Sequence, residues 1–303
     1  MLTPTLNRYL QVRRALGFRL DSTEYYLRRF VRLADERGDT HISRQTAMDW
    51  AARAATPRQR AKCVRMIIGL AQFLHAEDAR HEIPICERSY PTPPRPAPYI
   101  FSPQEIQRLG EAAQRIGRPG SLRRLTYTTL FNLLAVTGLR ISEALSLKIE
   151  EFTPDGLIIR ETKFHKSRLV PVHVTTATAL NHYLQRRRQA PSNHDRFFVS
   201  SRRKPLCYAT VHRMFRHLCL EAGIRGAPPA PRPRLHDLRH SVAVRMLAAC
   251  PNGSDQVTPH MLALSTYLGH SSLQGTYWYL HSSPPLMLGM AEASEAWFSG
   301  DKS

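Results

Sequence analysis

Apolar residues in the first ninety positions recur at the three- and four-residue spacing of amphipathic helices. Glycine, serine or proline interrupts the pattern at each expected helix end. The pattern predicts four short helices over residues 5–16, 21–37, 44–53 and 58–76. We therefore expect a helical domain over residues 1–83.

A proline-rich run separates this domain from the rest of the chain. Six prolines lie between residues 84 and 98, where they remove main-chain donors and prevent regular helix or sheet. We predict a linker over residues 84–100 and a second domain over residues 101–303.

The second domain is predicted to be mainly helical, with one small antiparallel sheet. Ser102 and Glu105 have the spacing of a capping box, which marks a helix start. Residues 157–162 and 168–172 flank a turn and predict a β-hairpin, whose second strand Pro171 places at an edge. Further helices are predicted over residues 176–188 and 210–222 and from residue 235. The predicted fold class is mainly α.

The charge of the chain is strongly positive and unevenly distributed. Its 303 residues include 43 Lys and Arg against 24 Asp and Glu, a net charge of +19. Between Arg160 and Arg245 there are 18 basic and 4 acidic residues, whereas residues 251–303 contain one basic and four acidic residues. Such an excess is costly in self-repulsion unless a polyanion neutralises it. We expect a nucleic-acid partner.

Several other classes of protein are disfavoured. The N-terminus lacks a basic segment followed by an apolar run, so no signal peptide is expected. Residues 256–291 contain no charged side chain, but prolines and histidines interrupt them, and they do not predict a membrane span. The five cysteines are scattered and never spaced as C-x-x-C, which argues against disulfides and a zinc ribbon. We expect a cytoplasmic, nucleoid-associated protein without membrane contact.

Two segments of the second domain place basic side chains at exposed turns. In T-G-L-R-I-S-E, a glycine separates two predicted helices, and the junction is expected to direct Arg140 away from the body of the fold. Glu143, three residues later, is placed to hold Arg140. The predicted hairpin has Lys163 and Lys166 at its tip.

Two further segments supply histidines, an arginine and a phenol. In H-D-L-R-H, spacings of three and four put His236, Arg239 and His240 on one helical face. His270 opens the run H-S-S-L-Q-G-T-Y-W-Y, and Tyr279 follows it nine residues later. His236 and His240 imitate the spacing of a zinc pair, but no third ligand follows at metalloprotease spacing. We expect no metal ion and no cofactor.

Together and in this order, the four segments resemble the tyrosine recombinase family, which includes phage integrases and Xer-like enzymes. The shared motifs are T-G-L-R-x-S-E, K-x-x-K-x-R-x-V-P, H-x-L-R-H and L-G-H-S followed by the tyrosine, and the resemblance covers most of the chain. It implies a helical core-binding (SAM-like) domain joined by a linker to a catalytic domain.

The resemblance also implies a role for each matching residue. By this resemblance, Arg140 and Arg239 clamp the scissile phosphate. Lys163, His236 and His270 complete the site, and Tyr279 is the nucleophile. Fixed guanidinium groups are suited to stabilising the charge that builds on the phosphate oxygens without a metal. The implied activity is site-specific DNA recombination or integration through a 3′-phosphotyrosyl intermediate, without metal or ATP.

Some alternatives remain open at this point. Lys166 competes with Lys163 as the catalytic lysine, and Tyr277 competes with Tyr279 as the nucleophile. A type IB topoisomerase, or a non-catalytic DNA-binding accessory protein on the same fold, would share much of the pattern. Further basic residues are candidate DNA contacts: Arg58, Arg60, Lys62, Arg65, Lys166 and Arg168.

The resemblance finally implies the partners. We expect double-stranded DNA with paired half-sites, bound by a dimer on each site and a tetramer in synapsis. Residues 286–297 predict a short C-terminal tail helix that packs on a neighbouring subunit or on its own domain.

Overall fold

The computed structural model describes residues 1–18, 20–85, 97–160, 167–189, 194–226, 232–249 and 254–269. The chain divides into two compact units, Met1–Arg95 and Pro96–Ser303. The predicted linker spans this division. Its last residues belong to the second unit, because Pro98 is buried and the ring of Tyr99 lies 4.9 Å from that of Phe101, a core residue.

Among its described residues, the first unit contains four helices, each within two residues of its predicted bounds. Ser43 and Thr56 cap two of them, since their hydroxyls accept the main-chain N–H groups of Thr46 and Gln59. Their apolar faces form one core that includes Phe30. The helices are α1 (Thr3–Ala15), α2 (Asp21–Glu36), α3 (Arg44–Ala52) and α4 (Pro57–His75).

The second unit is also mainly helical, which confirms the predicted fold class. The capping box of Ser102 and Glu105 is present at the start of its first helix. The described helices are α5 (Pro103–Gln114), α6 (Leu122–Thr137), α7 (Ile141–Ser146), α8 (Val174–Arg188), α9 (Tyr208–Glu221), α10 (Leu235–Ala248) and α11 (Ser254–Leu268). Of these, α11 is not among the elements that the sequence pattern predicts.

A small antiparallel sheet follows α7. The described residues form three strands of it in the order β1-β2-β3, with β1 at Phe152–Thr153, β2 at Gly156–Ile159 and β3 at Arg168–Val170. The pairing of β2 with β3 confirms the predicted hairpin, and β3 lies at an edge as Pro171 requires. Only β1, two residues long, was not predicted. The hairpin tip lies outside the described residues.

The core of the second unit positions three chain segments that are far apart in sequence. Helix α6 packs against α5, α8 and α10, and α10 also packs against α11. The guanidinium of Arg245 in α10 donates to the main-chain carbonyl of Ala135 in α6 at 2.8 Å. Nearer the start of α10, Arg239 donates to the carbonyls of Gly138 and Leu268, so the first turns of α10 meet the C-terminal ends of α6 and α11. In the part of the chain that is described, no helix is both long and apolar enough to cross a membrane.

Candidate active site

The junction between α6 and α7 presents Arg140. Gly138 ends α6 with a φ of +64°, a left-handed conformation that favours glycine. A Cβ atom on Gly138 would lie 3.2 Å from Leu268 and Val242, so the close approach of α10 and α11 also favours glycine here. Arg140 then precedes α7 in an extended conformation. Its side chain is 30% exposed.

Arg239 in α10 joins the ends of two other helices. Its Nη1 donates to the carbonyl oxygen of Gly138 at 2.8 Å, and its Nη2 donates to that of Leu268 at 2.6 Å. The residue is 2% exposed. A guanidinium buried to this extent is costly unless it is hydrogen-bonded. The side chain is therefore held in one position by the main chain on both sides of it.

Three guanidinium groups meet at the C-terminal end of α11. Arg168 Nε donates to the carbonyl of Tyr267 at 2.8 Å. Arg239 donates to the next carbonyl, that of Leu268, as described above. Arg140 Nη2 donates to the carbonyl of Gly269 at 2.8 Å. The last carbonyls of a helix have no intrahelical partner and form the negative end of the helix dipole. The three cations satisfy three consecutive carbonyls and fix the last turn of α11.

Glu143 is the carboxylate of this cluster. It accepts the main-chain N–H of Arg140 at 2.9 Å and the Nη1 of Arg140 at 2.7 Å. It also accepts two hydrogen bonds from Arg168, at 3.1 and 2.9 Å. The predicted contact between Glu143 and Arg140 is confirmed.

The charge state of Glu143 follows from these contacts. Burial by itself raises the pKa of this carboxyl, but the hydrogen bonds and charge of Arg168, followed by those of Arg140, outweigh burial and lower the pKa below the usual range. Glu143 is thus an anion at neutral pH. It positions guanidinium groups and has no proton to donate.

His236 lies one helical turn from His240 in α10, with ring centroids 4.6 Å apart. Its pKa is lowered, first because the ring is partly withdrawn from water and then because Arg239 repels the protonated form, with a smaller contribution from Arg140. Asp237 opposes this shift. More than a third of the residue is exposed, and the neighbouring guanidinium groups of Arg239 and Arg140 favour the neutral imidazole. The imidazole is neutral at pH 7 and able to accept a proton.

The structure thus brings together three of the predicted catalytic residues, Arg140, His236 and Arg239. The other three, Lys163, His270 and Tyr279, lie outside the described residues and stay predictions. The competing residues Lys166 and Tyr277 lie outside the described residues as well. In sequence, His270 directly follows Gly269, whose carbonyl Arg140 binds.

Arg168 differs from its predicted place among the DNA contacts. Its side chain is 9% exposed and faces Glu143 and the end of α11, so the guanidinium is turned into the site. A signal for this was available in the sequence. Side chains alternate along a strand, and Arg168 shares a face with Val170, which is completely buried.

Sequence reasoning also missed Asp237. This carboxylate is fully buried and accepts the main-chain N–H and the guanidinium of Arg234, at 2.8 to 3.2 Å. It forms a capping arrangement at the start of α10. The first turn of α10, which includes His236, is fixed by this contact.

The candidate DNA contacts of the first unit lie on α4. Arg58, Lys62 and Arg65 are exposed and, at positions i, i+4 and i+7, share one face of the helix. Arg60 is half-buried and its Nε donates to the carbonyl of Ala54 at 3.0 Å.

One group among the described residues has the composition of a metal site, namely His41, Asp78 and His81 in the first unit. Its atoms already have protein partners. The Nδ1 of His81 accepts the main-chain N–H of Ile42 at 3.1 Å, and Asp78 accepts the guanidinium of Arg80 at 2.8 Å. The contact of Ile42 with His81 joins the segment before α3 to the segment after α4, and we assign the group a structural role.

The Glu143→Gln substitution tests the electrostatic description of the cluster. Removing one partner of a buried ion pair leaves charge uncompensated, so the variant should lose about 3 kcal/mol of unfolding free energy near pH 7. Because the pKa of Glu143 is lowered in the folded state, its stabilisation is present at neutral pH and is lost as the pH falls through the folded-state pKa. The difference between the two proteins should therefore shrink in acid, as measured by urea denaturation.

Glu150→Gln is the control, since Glu150 is exposed and lies 3.9 Å from Lys148. It should change the unfolding free energy by less than about 1 kcal/mol. A Glu143→Gln loss that stays constant from neutral to acidic pH would contradict the assignment of Glu143 as a stabilising anion.

The chain is similar to several known proteins. The model of the phage integrase family matches residues 100–285. The protein named "Putative integrase/recombinase y4rB" of Sinorhizobium fredii (strain NBRC 101917 / NGR234) is 38% identical over 289 residues, which are 92% of each chain. Tyrosine recombinase XerD of Rhizobium meliloti (strain 1021) is 32% identical over 216 residues, covering 69% of this chain and 65% of XerD.

Solved structures show the same fold. The integrase of the Tn1549 transposon, in complex with transposon right end DNA, has a TM-score of 0.67 at 17% identity and covers 96% of this chain and 99% of its own. The family match spans more than half of the chain, and the relative from Sinorhizobium fredii spans nearly all of it. The chain therefore belongs to the phage integrase family and is a tyrosine recombinase, an enzyme that breaks and rejoins DNA.

Proposed function

We propose that the protein is a site-specific DNA recombinase in which Tyr279 attacks a phosphodiester that Arg140 and Arg239 hold. The observation that supports this most directly is the anchoring of both guanidinium groups on the end of α11, beside a neutral His236. Positioned charge of this kind stabilises a transition state without reorganisation during the reaction. Arg140 is the more exposed of the two and is the group that a phosphate reaches first.

The proposed reaction is a transfer of the phosphoryl group to tyrosine. The phenol oxygen of Tyr279 forms a bond to phosphorus while the bond from phosphorus to the 5′ oxygen breaks. The phenol proton passes to a neutral histidine, and the ammonium of Lys163 protonates the 5′ oxygen. The product is a 3′-phosphotyrosyl ester and a free 5′ hydroxyl.

Rejoining is the same reaction in reverse. A 5′ hydroxyl attacks the phosphotyrosyl ester, the tyrosine leaves, and each proton returns to the group from which it came. The ester conserves the energy of the broken linkage, so neither ATP nor a metal ion is required. The guanidinium groups supply the charge stabilisation that a metal ion gives in many other phosphoryl-transfer enzymes.

The proposed substrate and assembly follow from relatives of the same fold. Lambda integrase has been solved as a tetramer bound to a Holliday junction and as a dimer bound to a core site, and XerH has been solved with a palindromic difH substrate. By analogy, we propose that this chain binds DNA with paired half-sites as a dimer and forms a tetramer in synapsis. The tail over residues 286–297, outside the described part, is the proposed contact between subunits.

Tyr279→Phe tests the nucleophile. The probe is a pool of nicked duplexes with a randomised core. After cleavage the short fragment beyond the nick diffuses away, so the strand cannot be rejoined and the covalent complex is trapped. The wild-type protein should form a complex that survives denaturing detergent. Tyr279→Phe should form none because it lacks the attacking oxygen, while binding the DNA recovered by the wild type with unchanged affinity.

Tyr277→Phe is the matched control and should retain capture. Covalent capture by Tyr279→Phe, or its loss in Tyr277→Phe alone, would contradict the assignment. The recovered duplexes also identify the site: enrichment of a defined sequence supports a recombinase, whereas capture without sequence preference supports a type IB topoisomerase.

We further propose that the exposed face of α4 contacts the DNA backbone. Arg58, Lys62 and Arg65 form a row of three cations on this face, and the ammonium of Lys62 also lies 5.2 Å from the ring centre of Tyr26. Exposed cations of this kind bind phosphates and release counterions, which makes affinity dependent on salt.

Replacing Arg58, Lys62 and Arg65 by glutamine should weaken DNA binding across sequences. The slope of log affinity against log salt should fall by about 1 for each phosphate contact that is lost. Arg37→Gln is the control, since this guanidinium is paired with Asp49 at 2.8 Å and is predicted to leave the slope unchanged. A triple variant with the wild-type slope, measured by fluorescence anisotropy, would rule this face out.

A further inference from the structure

We propose that Arg168 is a positioning residue of the recombinase, which aligns Arg140 with the chain that leaves α11 and makes no contact with DNA. The inference rests on the proposed function, because alignment has a chemical consequence only if Arg140 holds the scissile phosphate. Its support comes from three sets of contacts around one guanidinium.

The first set fixes Arg168 itself. Its Nη1 and Nη2 donate to the two carboxylate oxygens of Glu143 at 3.1 and 2.9 Å. Its Nε donates to the carbonyl of Tyr267 at 2.8 Å. All three nitrogens of the planar group are thus used, and the side chain is 9% exposed. A guanidinium bound in this way is fixed in both position and orientation.

The second set connects Arg168 to Arg140. Both donate to Oε1 of Glu143, at 3.1 Å from Arg168 and 2.7 Å from Arg140. The carboxylate is held on one side by Arg168 and on the other by Arg140. Without Arg168, Glu143 would keep only its contacts with Arg140. Arg140 would still bind the carbonyl of Gly269, but the carboxylate that holds its Nη1 would no longer be fixed from the other side.

The third set concerns the end of α11. Gly269 has a φ of +67°, and a Cβ atom there would lie 2.5 Å from Nη1 and 2.8 Å from Cζ of Arg168. The guanidinium therefore occupies the space beside Gly269 that a side chain would fill. Because Arg140 binds the carbonyl of Gly269, the peptide that leads to His270 is held between two arginines.

Arg168 also belongs to β3, the strand that follows the predicted tip lysine Lys163. Its Cα is paired with that of Ile159 across the hairpin. One guanidinium therefore joins the hairpin, the carboxylate that holds Arg140, and the end of α11. Its loss should impair the chemical step, which depends on the alignment of these parts, and leave DNA affinity unchanged.

Arg168→Met tests this on the full-length protein, with the nicked duplex that the wild type captures as probe. The cleavage rate at saturating protein should fall by roughly 100-fold, the loss expected from a misplacement of about 1 Å. The dissociation constant for the same duplex should match that of the wild type. Arg160→Met is the control on the same hairpin, because Arg160 is more than half exposed and pairs with Glu151. It should cleave at the wild-type rate.

Two further variants separate positioning from a general loss of folding. Arg168→Lys keeps the charge but cannot reach both Glu143 and the Tyr267 carbonyl from one nitrogen, so its cleavage rate should lie between those of Arg168→Met and wild type. If Arg168→Met does not fold, the test is carried out with Arg168→Lys alone. The losses caused by Arg168→Met and Glu143→Gln should not add in the double variant, since both remove the same contact.

The outcomes are distinct. A folded Arg168→Met or Arg168→Lys variant that cleaves at the wild-type rate overturns the inference, and so does a variant whose loss appears entirely as weaker DNA binding, because that identifies a DNA contact. If neither the wild type nor Arg160→Met forms a covalent complex, the proposed function fails and the inference fails with it. Slow cleavage with unchanged affinity, confined to the Arg168 and Glu143 variants, supports it.

Discussion

The last turn of α11 is held by arginine side chains, and the arrangement of the site depends on this contact. Arg168, Arg239 and Arg140 donate to the carbonyls of Tyr267, Leu268 and Gly269 in turn. These carbonyls need partners because a helix leaves its last ones unsatisfied. The three cations need compensation because they lie close together, and Glu143 is the carboxylate that binds two of them. The cluster keeps a positive excess that an incoming phosphate is suited to neutralise.

The cluster is assembled from segments that are far apart in the chain, so it depends on the packing of the second unit. Arg140 follows α6, Arg168 lies in β3, and Arg239 lies in α10, which packs on both α6 and α11. Gly138 is a point of close approach in this packing, since a Cβ there would lie 3.2 Å from both Val242 and Leu268. A change in how α10 or α11 packs against α6 would therefore displace the carbonyls that hold the guanidinium groups.

Local patterns in the sequence predicted the elements whose signals are local. The four helices of the first unit and the capping box of Ser102 and Glu105 depend on spacing and on neighbouring residues, and the structure confirms them. The contact between Glu143 and Arg140 is also local, at a separation of three residues. Helix α11 was missed because turn-forming residues precede it and Pro259 lies inside it. Its stability comes from packing against α10, which no local pattern reports.

Arg168 illustrates the same limit within the site. Arg168 was predicted to contact DNA, whereas its partners Glu143 and Tyr267 in the structure are 25 and 99 residues away along the chain. Only the fold brings them together. The family motifs predict which residues carry the chemistry. The structure adds how two of them, Arg140 and Arg239, are held by main-chain carbonyls. It also places His236 one helical turn from His240.

In this structure the guanidinium groups of Arg140, Arg168 and Arg239 are fixed before DNA binds. Nitrogen-15 NMR of the DNA-free protein, with each arginine assigned by substitution, measures this directly through rotation about the Cζ–Nη bonds. We expect slow rotation, with separate signals for the individual Nη groups of Arg140, Arg168 and Arg239, in contrast to the averaged signals of exposed arginines such as Arg58. Averaged, freely rotating signals from Arg168 and Arg239 in the folded protein would contradict it.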